Sequence, residues 1–168
     1  MDEVSESHRA PATFNSPLEA GIRAVSVLGA AYPQCYDLQR LVAFDYLLVH
    51  TADVGGPESL HPPTPMQSAA LLVRRKLVEQ SLLLMMTRDL VRREITPEGI
   101  VYGAGENSTT FLTSLTSSYL DSLKQRAIWL VQELGNHNDN EFRAVMRRFF
   151  DDWVEEFQHT EQSLGGDA

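Results

Sequence analysis

The pattern of the chain changes near residue 90, and that change restricts the fold more than any other feature. Leu90-Val91-Arg92-Arg93-Glu94-Ile95 and Ile100-Val101-Tyr102 are short β-rich runs on either side of Thr96-Pro97-Glu98-Gly99. Proline suits the first corner of a turn and glycine supplies a positive φ, so the spacing predicts a β-hairpin. Before it, apolar residues recur at helical spacing in three separate stretches. Three helices and then a hairpin is the order of elements in a winged helix.

The helix boundaries carry their own signals. Ser16, Pro17 and Glu19 form a capping box with proline at the first helical position. Ile22, Val25, Leu28 and Gly29 then share one face, and Tyr32-Pro33 stops the helix. Asp37 caps a second helix with Leu38, Leu41, Val42, Tyr46 and Val49 as its buried stripe. Residues 51–66 hold Gly55, Gly56, Pro57, Pro62, Pro63 and Pro65, too many breakers for any regular element. A third helix is expected from about Gln67 to Arg88, with a bend or break near Gln80. Its apolar residues cover more than one face, which predicts deep packing.

Beyond the hairpin, Gly103 and Gly105 end the second strand and the chain returns to helix at Ser108. Ser117 or Ser118 caps a further helix carrying Leu120, Leu123, Ala127, Leu130 and Leu134, and Gly135-Asn136 stops it. A last helix from about Asp139 to Gln158 is loaded with Phe142, Phe149, Phe150, Trp153 and Phe157. The predicted architecture is therefore mainly α with a small β-hairpin. It divides into a disordered lead over 1–13, a winged-helix-like domain over 14–105, a C-terminal helical extension over 106–158 and a frayed tail over 159–168.

Charge narrows the partners. The formal net charge is −9, which opposes loose binding to nucleic acid or anionic membrane. Between Arg74 and Arg93, however, six basic residues face only Glu79 and Asp89. In a DNA-binding winged helix these are the elements that meet the groove and backbone. Arg74, Arg75, Lys76, Arg92 and Arg93 are thus the DNA-contacting candidates, set against the plainer reading of a solvated or internally paired helix face.

No catalytic constellation emerges. The five histidines form no metal pair at helical spacing and no His-Glu-x-x-His motif. His50 is placed to cap carbonyls at the end of the second helix, and His61, between Leu60 and Pro62, is the one histidine worth testing. Cys35 is the single cysteine and has no basic neighbour in sequence to activate it. There is no Gly-x-Ser-x-Gly elbow or phosphate-cradling loop, and Asp151, Asp152, Glu155 and Glu156 read as a solvated helix face. The expectation is a non-enzymatic protein with no metal, cofactor or small-molecule substrate. The acidic start, the lone cysteine and the short apolar runs point to a cytoplasmic protein with no membrane partner.

Three segments carry a resemblance. They are Phe14-Asn15-Ser16-Pro17-Leu18-Glu19-Ala20-Gly21-Ile22-Arg23-Ala24, Tyr36-Asp37-Leu38-Gln39-Arg40-Leu41-Val42 and Asp53-Val54-Gly55-Gly56-Pro57-Glu58-Ser59-Leu60-His61-Pro62. With Glu79 to Met85 and Asp89 to Arg93 they make the chain resemble the small middle components of bacterial ABC three-component systems. That group includes the third subunit of Lamassu-type antiphage defence systems. The likeness spans about residues 14–135 and leaves the aromatic last helix outside it. It implies an accessory subunit beside an SMC- or Rad50-like ATPase and an effector, often a nuclease, with the ATP and cutting sites on those partners.

On that implication, Gly55, Gly56, Pro57, Leu60 and His61 become a candidate docking loop, alongside a structural loop packed on its own domain. Phe149, Phe150 and Trp153 are the other partner-binding candidates, because aromatics dominate interface energetics. Two functions stay open at this point. One is the accessory subunit, touching DNA only through the complex, and the other is a winged-helix transcriptional regulator.

Overall fold

The computed structural model describes residues 16–63 and 68–149 of the chain. Within them the order is α1 (Pro17–Ala31), β1 (Tyr36–Asp37), α2 (Leu38–Val49), a 3₁₀ turn (Thr51–Val54), α3 (Ser68–Met86), β2 (Val91–Thr96), β3 (Gly99–Ala104), α4 (Ser108–Ser114), α5 (Ser118–Leu134) and α6 (Asp139–Phe149). The chain is mainly α with a small antiparallel sheet, as the pattern predicts. The expected lead over 1–13, the last helix beyond Phe149 and the tail over 159–168 lie outside the described residues.

The caps form where the sequence places them. Ser16 Oγ accepts from the Glu19 backbone N–H at 3.3 Å, Asp37 Oδ1 from the Arg40 N–H at 2.8 Å and Ser117 Oγ from the Leu120 N–H at 3.2 Å. Each satisfies a donor that the first helical turn leaves orphaned. The stop after α5 works differently from the expectation. Gly135 keeps a right-handed backbone, φ −65°, so its value lies in lacking a Cβ. Any Cβ there would collide with the Val131 carbonyl and sit 2.7 Å from the Tyr36 hydroxyl. Tyr36 and Gln34 both donate to the Gly135 carbonyl, which fastens β1 to the end of α5.

α1 and α2 are the interior of the molecule. α1 lies between α3 and α5, and α2 is buried continuously from Arg40 to Val49. Phe44 meets Tyr36 and Phe142 edge-on, with ring centroids 5.1 and 5.6 Å away. α6 is held to this core by Arg40, which donates to the His137 carbonyl at 2.6 Å, pairs with Asp139 and stacks over the Phe142 ring.

The sheet has the order β1-β3-β2, antiparallel throughout. Thr96 pairs with Gly99 across the turn, and Gly99 takes φ +132°, which only glycine adopts readily. β1 is absent from the sequence reading because two residues show no alternation. It pairs Tyr36 with Tyr102 and Asp37 with Val101, tying the hairpin to the stretch between α1 and α2.

α3 departs from the expectation of deep packing. It runs as one helix through Gln80, and only one side enters the core, through Leu71, Val78, Leu82 and Met85. Leu72, Val73 and Leu83 are more than half exposed and Leu84 is 38% exposed. Periodicity reported apolar residues on more than one face; it had no means of telling that, among the described residues, the second of these faces stays exposed.

Candidate functional site

The five basic candidates do not act as one patch. Arg74 turns inward: its guanidinium binds Asp45, which is only 4% exposed, and lies over the Tyr46 ring. Arg23, also buried, holds the same carboxylate from the other side at 2.7 Å. Arg75 pairs with Glu79 one turn on. Lys76, Arg92 and Arg93 are exposed, with Arg92 bridged to Glu94. The sheet also brings the Arg92 guanidinium 3.6 Å from Cys35 Sγ, a cationic neighbour that chain spacing conceals.

The loop over 51–63 is fastened to its own domain. Thr51 donates to the Pro57 carbonyl, the Ala52 N–H donates to Ser59 and the His61 N–H donates to the Val49 carbonyl. From α5, Arg126 donates twice to the Glu58 carbonyl, and the Trp129 ring lies so close to Gly56 that a Cβ would strike it. Leu60 packs inward on the core, while Gly55 and Pro57 stay at the exposed tip.

His61 belongs to a polar seam beneath that loop. Its Nε2 is 2.9 Å from the Tyr119 hydroxyl and its ring stacks on Tyr119. Burial, and then the nearby Arg23, His50 and Arg74, push its pKa down to about 4. Next to it, His50 does serve as a cap: Nδ1 faces the Tyr46 carbonyl and Nε2 the Pro62 carbonyl, at 3.0 and 3.1 Å. Tyr46 donates to Asp53, and burial together with that carboxylate raises its pKa to about 12. Among the described residues no three His, Cys, Asp or Glu side chains gather as a metal site. Phe149 ends α6, and Phe150 and Trp153 lie outside the described residues.

What residue-by-residue reasoning missed is an apolar surface on α3 and the hairpin. On β2 and β3, the pairs Val91–Ala104, Arg93–Tyr102 and Ile95–Ile100 share one face. That face enters the core at Val91 and Ala104 and leaves it at the tip, where Ile95 is 83% exposed and Ile100 46%. The hairpin runs alongside α3: Glu79 and Arg93 act on the Tyr102 hydroxyl, whose pKa is raised mainly by burial. Ile100 and Arg75 line the same cleft of about 480 Å³, together with Cys35, Arg40 and Asp139. A usable signal was present in the sequence, since the apolar residues of α3 cover more than one face and the hairpin tip pairs two isoleucines.

Taken together, these elements define a small, mainly α domain with an antiparallel sheet on one edge and unburied aliphatic residues beside it. Residues 13–156 match the family of ABC-three component (ABC-3C) system Middle Component 2 proteins, and the chain belongs to that family. It is thus one component of a three-part system and works with partner components. The match reaches through α6, farther than the resemblance drawn from sequence segments. No curated protein and no solved structure matches the chain significantly. Among the described residues no helix is long and apolar enough to cross a membrane.

Proposed function

We propose that this chain is the non-enzymatic accessory subunit of a Lamassu-type antiphage defence system, working in the cytoplasm. It bridges or regulates an SMC- or Rad50-like ATPase and an effector nuclease. The observation that carries this reading is the family match over residues 13–156, which makes the chain a middle component by descent. The fold adds support: a strand between α1 and α2 that pairs with the second strand of a following hairpin is the connectivity of a winged helix. The chemistry of the partners, rather than of this chain, then supplies ATP hydrolysis and cutting.

A second reading, DNA contact by a winged-helix regulator, draws on Lys76, Arg92 and Arg93 at the surface of α3 and β2. Against it stand the commitment of Arg74 to Asp45 and the aliphatic character of the same surface. Co-expression of the tagged chain with the two other components of its system tests the first reading. A stable complex containing a large coiled-coil ATPase is expected. A chain that purifies alone and shifts duplex DNA with steep salt dependence would move the assignment to the regulator.

A further inference from the structure

We infer that the outward face of α3, together with the hairpin tip, is the docking surface for an acidic amphipathic helix of a protein partner. This rests on the accessory-subunit reading and specifies which surface and which chemistry serve it. At about 100° per residue, Lys76 and Gln80 point directly away from the buried Val78. Leu72 and Val73 flank them at one end and Leu83 and Leu84 at the other, eleven residues or about 16 Å along the axis. Ile95 and Ile100, paired at the hairpin tip near Arg75, add further exposed apolar surface beside α3. Leu72, Val73, Leu83 and Leu84 thus put aliphatic surface on the side of α3 opposite the core, at both ends of the polar pair Lys76 and Gln80.

Charge selects the occupant. The protein as a whole carries −9, yet with Arg74 committed to Asp45, Arg75 to Glu79 and Arg92 to Glu94, the surface of α3 through β2 still holds Lys76, Arg88 and Arg93 against Asp89. Lys76 sits within the aliphatic strip and Arg93 two residues from Ile95. A helix that places apolar side chains about three turns apart, with carboxylates between them, meets both features at once. Duplex DNA would satisfy the charges and leave Leu72, Val73, Ile95 and Ile100 facing phosphate.

The test uses the full chain co-expressed with the other two components. Val73→Glu combined with Ile95→Glu replaces exposed side chains only, and an unchanged melting temperature confirms folding. Capture of the partners is expected to weaken about 30-fold or more, while Ile128→Glu, on the exposed side of α5, leaves it intact. A photocrosslinker at Val73 is expected to mark an acidic amphipathic helix of one partner. Undiminished capture by the double variant overturns the inference and leaves the accessory role standing. Crosslinks to a basic segment, to DNA or to this chain's own residues 150–168 also overturn it. Failure of the unaltered chain to capture either component removes the accessory reading itself.

Discussion

Asp45 interrupts an otherwise apolar run in α2, and in the fold it sits between two guanidinium groups. Arg23 reaches it across 22 residues of sequence and Arg74 across 29. A buried ion pair adds little net stability over an apolar isostere, but removing one partner strands the others without water. Asp45→Ala is therefore expected to lower the unfolding free energy by about 3–5 kcal/mol, read from urea denaturation. His61 makes a second residue-scale prediction. Its folded pKa, about 4, lies below the ordinary value of 6.5, so the unfolded chain binds the extra proton first. Its contribution is fully present above pH 6.5 and is lost as pH falls towards 4. A urea series across that window should show stability rising with pH, and His61→Gln should flatten the slope. The sequence singled out His61 but not Asp45. It gave no means of seeing the partners of either, because those of Asp45 converge only after α1, α2 and α3 pack and Tyr119 reaches His61 from α5.

At the scale of elements, local chemistry was legible wherever a residue acts on its own neighbours. The caps at Ser16, Asp37 and Ser117 and the turn at Pro97 to Gly99 are all of this kind. β1 was not legible, because its partner lies some 65 residues on in β3 and its two residues carry no periodicity. The loop over 51–63 was legible as a loop but not as a fastened one, since Arg126 and Trp129 approach it from α5. Its tightness can be measured. Gly56→Ala pushes a methyl group into the Trp129 ring and is expected to cost about 1–3 kcal/mol, again from urea denaturation. Gly55→Ala has open space around its Cβ and pays only for the positive φ of 78°, roughly 1 kcal/mol.

On the scale of the whole molecule, the composition reported an acidic protein with enough apolar residues for a core, and both hold. Composition could not report that part of this apolar material faces outward. α1 and α2 take the interior, α5 closes one side, and α3 keeps Leu72, Val73, Leu83 and Leu84 at the surface around Lys76 and Gln80. On the proposed docking role, this exposed hydrophobic surface is what a partner in the assembly covers. The basic residues around α3 then give an acidic protein one surface on which an acidic partner is welcome.

Cysteine labelling at Val73 tests this most directly. In a Cys35→Ser background, Val73→Cys should react with a maleimide quickly in the free chain and slowly once the chain is assembled with its two partner components. Equal labelling in the free and assembled states would show that α3 stays open to solvent in the complex, and would contradict the account.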